Sequence, residues 1–288
     1  MPKVDATYLR ERLYSIREIA TLPSAVTRIL MVTQNPHSTA LDLAAEIVKD
    51  PALTLKVLRT VNSSFYGFNR RIQTVSDAVV LLGFTEVERI ALAIAVISVL
   101  GSKREYARAL TQLWRHSLAA SVVAESLVEF DGLSGSQYAG IRVAGLLHDI
   151  GKAVLCQHFP DIYANLMSFM KKKRVSAYEA EIEIMNGVTH CDIGAWLADR
   201  WKLPIPIVEA IRLHQTPDKA NDMQPLVELV YKADLLCYRL EIPAVVFEGE
   251  ISHADENKGQ FSDDLVHRVG DRLERQRDIM SAIATQAF

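Results

Sequence analysis

Eight histidines are spread along 288 residues, and three of them share a placement that invites chemistry. His116 falls in line with Ala109, Leu113, Ala120 and Val123 at helical spacing. His190 stands in register with Ile193, Gly194 and Leu197, and His214 follows Ile207, Ala210 and Ile211. Asp234 joins a stripe with Val227, Val230 and Cys237, and His148-Asp149 is an adjacent pair. The three histidines and Asp234 therefore point toward a core. A single inward histidine is ordinarily a hydrogen-bonded core residue. Inward polar groups on several successive helices are another matter, because unpaired they would cost on the order of several kcal/mol. They must satisfy one another, hold a buried polar network, or bind a cation. Imidazole nitrogens mixed with carboxylate oxygens are the ligand set of Zn, Fe(II), Mn or Ni, and an Asp beside a His can bind or bridge ions. The sharper expectation is a convergent metal site inside a helical bundle.

The elements that must position these groups are predicted to be helices throughout. Only 13 glycines and 10 prolines punctuate the chain, too few for the turns of an all-β fold. Asp50-Pro51 starts a helix through Leu53, Val57, Leu58 and Val61 to Asn62-Ser63-Ser64, because Asp can cap orphan N–H groups and Pro at the first position loses no needed donor. Gly83 closes a helix over Val75 to Leu82, and Thr85 with Glu88 reads as a capping box for the apolar run ending at Gly101. Longer helices are expected over Glu105 to Val128, Tyr138 to Leu147, Phe159 to Met170, Tyr178 to Met185, His190 to Trp201, Pro206 to His214 and Pro225 to Arg239. After Ile242-Pro243 the chain turns polar and acidic over Glu248 to Asp264. Phe261, Leu265, Val269, Leu273, Met280 and Ile283 then form a stripe that predicts a terminal amphipathic helix packed on its own domain.

Composition excludes several functions. A net charge of −3 gives no long-range pull on a nucleic-acid backbone or an anionic membrane. Lys171-Lys172-Lys173-Arg174 reads as a solvated helix end, with no aromatic interleaving that would suit nucleic acid. The mainly apolar run Ile90 to Leu100, broken by Ser98, falls well short of the roughly 18 to 20 residues that span a bilayer. Met1 to Arg10 has no apolar stretch of the kind a secretory signal needs. Cys156, Cys191 and Cys237 form no CxxC pair and are odd in number, which fits a reducing cytoplasm. There is no G-x-S-x-G, and Cys191 next to His190 on one helix is expected to diverge from it by about 100°.

The segment around the pair, Ala144-Gly145-Leu146-Leu147-His148-Asp149-Ile150-Gly151-Lys152, resembles the signature of the HD superfamily of metal-dependent phosphohydrolases. More narrowly the chain resembles the HDOD domain, in Leu22-Pro23, Asp50-Pro51-Ala52-Leu53 with Val57-Leu58, Asn62-Ser63-Ser64, Ile72, Ala78 and Leu82-Gly83. Downstream the likeness continues in Leu113-Trp114 with His116-Ser117, Gly194-Ala195-Trp196-Leu197 and Trp201-Lys202-Leu203-Pro204. It covers roughly Ile19 to Leu240. The resemblance implies an all-α fold with a lead-in over 1–18, an N-terminal helical subdomain over 19–104, an HD-like bundle over 105–240, and a polar segment with the amphipathic helix over 241–288. It also implies bacterial signalling, in which such domains serve as response-regulator outputs or sit beside receiver, diguanylate cyclase or kinase modules. No receiver domain is expected, since no parallel α/β pattern appears and little sequence precedes the first HDOD-like helix.

Carried over residue by residue, the resemblance assigns His116, His148, Asp149, His190, His214 and Asp234 to metal-ligand positions and Lys152 to the lysine after the pair. The seventh ligand position of HD-GYP phosphodiesterases holds Gln215, a poor transition-metal ligand, and Thr216-Pro217-Asp218-Lys219 stands where the GYP loop would be. Two readings follow. In the first, the chain is a non-catalytic regulatory module acting through protein contacts, with a degenerate metal pocket holding Fe, Mn, Ni, Zn or no ion; self-association is compatible with that role. Phe65, Tyr66, Phe68, Arg70 and Arg71 could then form a partner surface, although aromatics between helices are more often core contacts. In the second, it is a metal-dependent phosphohydrolase or cyclic dinucleotide phosphodiesterase, in which Lys152 neutralises developing phosphate charge unless it is a surface lysine at a helix C-terminus.

Overall fold

The computed structural model describes residues 5–19, 21–35, 37–63, 66, 68, 71–100, 104–221, 225–242 and 260–285. Among them the fold is all-α, with no strand. The first half comprises α1 (Ala6–Ser15), α2 (Ser24–Gln34), α3 (Ala40–Val48), α4 (Pro51–Val61), α5 (Val75–Leu82) and α6 (Phe84–Leu100). Caps set these boundaries. Asp50 accepts from the Leu53 amide at 3.0 Å with Pro51 behind it, and Thr39 and Asp42 form a reciprocal capping box. Asn62 ends α4 and pins the chain that follows: its amide donates to the carbonyls of Leu58 and Ile72, and the Ile72 N–H donates back to Asn62 Oδ1.

Gly83 closes α5 at φ +87°, a conformation that glycine adopts without a Cβ clash. The Thr85–Glu88 capping box does not form. The helix starts at Phe84, one residue earlier, and Glu88 is buried in an ion pair with Arg142, so tertiary pairing has claimed the carboxylate.

The second half comprises α7 (Ala107–Phe130), α8 (Ile141–Leu147), α9 (Ile150–His158), α10 (Pro160–Lys173), α11 (Ala177–Ile184), α12 (His190–Arg200), α13 (Ile205–Leu213), α14 (Pro225–Arg239) and α15 (Asp263–Ala284). Most differ from the expected spans by a few residues at each end, as fraying ends do. Gly140, left-handed at φ +90°, starts α8 at Ile141 rather than at Tyr138. Lys171, Lys172 and Lys173 fill the exposed last turn of α10. α15 buries Leu265, Val269, Leu273, Met280 and Ile283 and packs along α7. The 243–259 part of the preceding polar segment lies outside the described residues.

A polar cluster fastens α15 to both halves. Arg89 on α6 bridges Glu86 and Glu125, Arg142 on α8 bridges Glu88 and Glu125, and Arg272 on α15 bridges Glu125 and Glu129. Glu125 on α7 thus answers three arginines from three helices. At the other end of the fold, Arg200 and Trp201, at the end of α12, donate to the carbonyls of Leu13, Ile16 and Ile19.

Candidate metal centre

α8 ends at Leu147 and α9 begins at Ile150, so His148 and Asp149 occupy the break between two helices, and Asp149 has no side-chain capping bond. The glycines flanking the pair let neighbouring helices close in. A Cβ on Gly145 would stand 2.9 Å from the Ala120 carbonyl oxygen on α7, and one on Gly151 would stand 1.9 Å from that of His190 on α12. That proximity brings His116, His148, Asp149, His190, His214 and Asp234 together, none more than 4% exposed.

The ring orientations are uniform. Nδ1 of His116 faces the Ile242 carbonyl at 2.7 Å, that of His148 the Gly145 carbonyl at 2.8 Å, and that of His214 the Ile211 carbonyl at 2.8 Å. Nδ1 of His190 faces Glu181 Oε2 at 2.6 Å. Every acceptor requires the proton on Nδ1, so each neutral ring turns a bare Nε2 inward. This is the tautomer and the outer contact of a metal-ligating histidine.

The inward atoms form two clusters. In one, Nε2 of His116 lies 3.2 Å from Nε2 of His148 and 3.2 Å from Oδ1 of Asp234. In the other, Nε2 of His190 lies 3.4 Å from Nε2 of His214. Asp149 faces both: Oδ2 is 3.4 Å from His148 Nε2, while Oδ1 is 3.2 Å from His190 Nε2 and 3.5 Å from His214 Nε2. Oδ1 of Asp149 and Oδ1 of Asp234 are buried without a hydrogen-bond donor. Lone pairs gathered against lone pairs in a dry interior need a cation, either bound protons or a metal ion.

The electrostatics point the same way. Burial lowers the proton affinity of His214, but Cys191 and Asp149 outweigh it and push the pKa up to about 10. Burial likewise lowers His190 and His116, and is outweighed by Cys191 and Glu181 for the first and by Asp234 and Asp149 for the second. For His148 burial prevails and the pKa falls. Burial would raise the carboxyls, yet Lys152 and His148 hold Asp149 well below the usual range, and His116 brings Asp234 to about 2.

Lys152 is neither exposed nor at a helix C-terminus. It lies in the first turn of α9, 2% exposed, with Nζ 2.9 Å from Asp149 Oδ2. Gln215 directs its amide to Asp234 Oδ2 at 3.1 Å, away from the His190–His214 cluster. Of the aromatic group at 65–71, Phe65 and Arg70 lie outside the described residues. Tyr66 and Phe68 stack at 5.7 Å, half-buried against the core, with the Tyr66 hydroxyl 3.3 Å from Glu86. That describes an inter-helix contact more than an open surface.

Two members of the site were not expected. Glu181, fully buried on α11, accepts from the backbone N–H and the ring Nδ1 of His190; its signal in the sequence is an acid in register with Ala177 and Ala180 on a buried face. Cys191 corrects the expectation that it diverges from His190. In the first turn of α12 the long imidazole reaches back, leaving Cys191 Sγ 3.5 Å from His190 Nε2 and 3.9 Å from His214 Nε2. Burial raises the thiol, but the two imidazoles outweigh it and bring its pKa to about 6.

Fold and site together define a class: an all-α protein with buried His/Asp/Cys groups able to hold a metal. The HDOD domain matches residues 19–217, and the chain belongs to that family. An uncharacterised protein of Treponema pallidum (strain Nichols) is 29% identical over 221 residues, 76% of this chain, which spans only 42% of that relative's length. An HDOD domain protein of unknown function from Geobacter sulfurreducens superposes with a TM-score of 0.75 at 23% identity, over 98% of this chain and 97% of that one. A candidate signal-transduction protein from Marinobacter aquaeolei VT8 superposes with a TM-score of 0.67 at 25% identity, over 92% of this chain and 59% of that one. No helix among the described residues is long and apolar enough to cross a membrane.

Proposed function

We propose that this chain is a regulatory HDOD module that holds a divalent metal in its buried centre as a structural or sensing element and acts through contacts with other signalling proteins, without turnover. The observation that carries this reading is burial: every inward ligand belongs to a residue at most 4% exposed, whereas a phosphodiester must touch the metal and its water to be cleaved. The Marinobacter neighbour supports a signalling role. Leu41, Leu55 and Val80, each at least 70% exposed on α3, α4 and α5, supply apolar surface for contacts with receiver, diguanylate cyclase or kinase modules.

The competing reading, a metal-dependent phosphohydrolase or phosphodiesterase, draws on the two-faced placement of Asp149, which suits a pair of ions, and on Lys152 beside it. Element-resolved metal content of the purified protein, followed by hydrolysis assays on phosphomonoesters and cyclic dinucleotides, separates the two. Bound metal without turnover is the expected result. Turnover that disappears in both His148→Ala and Asp149→Ala would overturn the regulatory reading.

A further inference from the structure

We propose that Cys191 is a metal ligand, and that its thiolate sulfur joins His190, His214 and Asp149 to make one half of the centre a sulfur-containing site. This rests on the reading of the centre as metal-binding and names a donor that the HD-type pattern does not supply. In that pattern position 215 would supply a further ligand. Here Gln215 is turned to Asp234, and the sulfur of Cys191 stands beside the two imidazoles.

Distances carry the argument. A tetrahedral ion with bonds of ~2.05 Å to nitrogen or oxygen and ~2.3 Å to sulfur needs N···N and N···O edges of about 3.3 Å and N···S edges of about 3.5 Å. The His190–His214 edge is 3.4 Å, the edges from Asp149 Oδ1 to the two histidines are 3.2 and 3.5 Å, and those from Cys191 Sγ are 3.5 and 3.9 Å. Five of the six edges of one tetrahedron thus agree to within about 0.4 Å. Asp149 Oδ1 is moreover a buried acceptor with no donor, aimed into that space. The first turn of α12 presents positive backbone N–H groups, which favour a thiolate at its second residue. The other half, built from His116, His148 and Asp234, has only nitrogen and oxygen donors. The two halves therefore differ in softness, and the sulfur side favours Zn or Fe(II) over Mn or Mg.

Cobalt(II) reports this directly, because a thiolate ligand adds a sulfur-to-cobalt charge-transfer band in the near ultraviolet. Metal-stripped full-length protein is titrated with Co(II), alongside Cys191→Ser, Cys191→Ala, Cys156→Ser and Cys237→Ser. Helical circular dichroism checks that each variant is folded. The band is expected in the parent and in the Cys156 and Cys237 variants. It is expected to vanish in both Cys191 variants while the nitrogen-ligated visible bands remain, with Co(II) affinity of this half falling at least about tenfold. Co(II) uptake by the parent without a charge-transfer band overturns the thiolate ligand and leaves metal binding standing. A band that survives in Cys191→Ser also overturns it. No Co(II) uptake by the parent overturns both the ligand and the metal-binding reading. If both Cys191 variants fail to fold, Zn-loaded and stripped parent are compared for alkylation of Cys191 by iodoacetamide, followed by mass spectrometry. Protection by Zn is then expected, and equal labelling overturns the proposal.

Discussion

His190 gives Glu181 two hydrogen bonds at once: its ring Nδ1 at 2.6 Å and its backbone N–H at 2.8 Å both reach the same carboxylate oxygen. Glu181 therefore fixes the ring's rotation, its tautomer and the start of α12 together. Removing it frees the ring without touching a ligand atom. Glu181→Ala is expected to weaken divalent-metal affinity by about 10- to 100-fold, and Glu181→Gln, which preserves shape but not charge, by less. Competition against a chromophoric chelator measures both; affinity unchanged in Glu181→Ala would show that the contact does not position a ligand.

Metal removal should lower thermal stability reversibly. An ion present at about 100 times its dissociation constant contributes about 2.7 kcal/mol to the folded state. In a chain of this size that corresponds to a drop in Tm of roughly 4 to 5 °C on chelation. Re-addition of metal restores it in the parent but not in Asp149→Asn, which weakens the carboxylate facing both clusters. Scanning calorimetry with and without chelator provides the check.

Gly151→Ala should be severe for its size. The added methyl would meet the His190 carbonyl oxygen at 1.9 Å and the Gly194 amide at 2.9 Å, backbone atoms that cannot swing aside. α9 and α12 must separate, at a cost of at least roughly 1 to 3 kcal/mol, and the separation pulls Asp149 away from His190. Urea denaturation and metal titration of the same sample should therefore worsen together. A destabilised variant with parental metal affinity would show that helix spacing does not set the site.

The Glu88–Arg142 pair gives a pH signature that involves none of the metal-ligand positions. Burial pushes the Glu88 carboxyl up, and Arg142 pulls it partly back. A folded-state pKa above the unfolded one means that native protein binds the proton first as pH falls, so the group's unfavourable share shrinks through that range. Arg142→Ala removes the opposing charge and leaves the buried Glu88 carboxyl without its ion-pair partner. The cost there is toward the lower end of about 3–5 kcal/mol, because Arg142 retains some solvent contact. The deficit relative to the parent should narrow as pH is lowered from 7 toward 5. Denaturation midpoints at three pH values test this, and a deficit that widens on acidification contradicts it.

The helices and the polar faces were legible because periodicity alone places His116, His190, His214 and Asp234 inward, and the structure brings all four beside His148 and Asp149. What periodicity cannot supply is pairing between distant segments. Glu88 looks like the closing residue of a capping box until Arg142, on another helix, is seen to hold it. Cys191 looks directed away from His190 until the reach of an imidazole is added to the rotation of the helix. Lys152 reads equally well as surface or site, and only the packing of α9 onto α12 buries it against Asp149.

α12 begins with His190 and Cys191 and ends where Arg200 and Trp201 grip the carbonyls of Leu13, Ile16 and Ile19. Its 11 residues make a stiff rod of about 16 Å. One end of that rod carries two of the inward ligands and the other holds three carbonyls of the N-terminal segment. The ligand cluster and the seating of the N-terminal segment thus rest on one and the same helix.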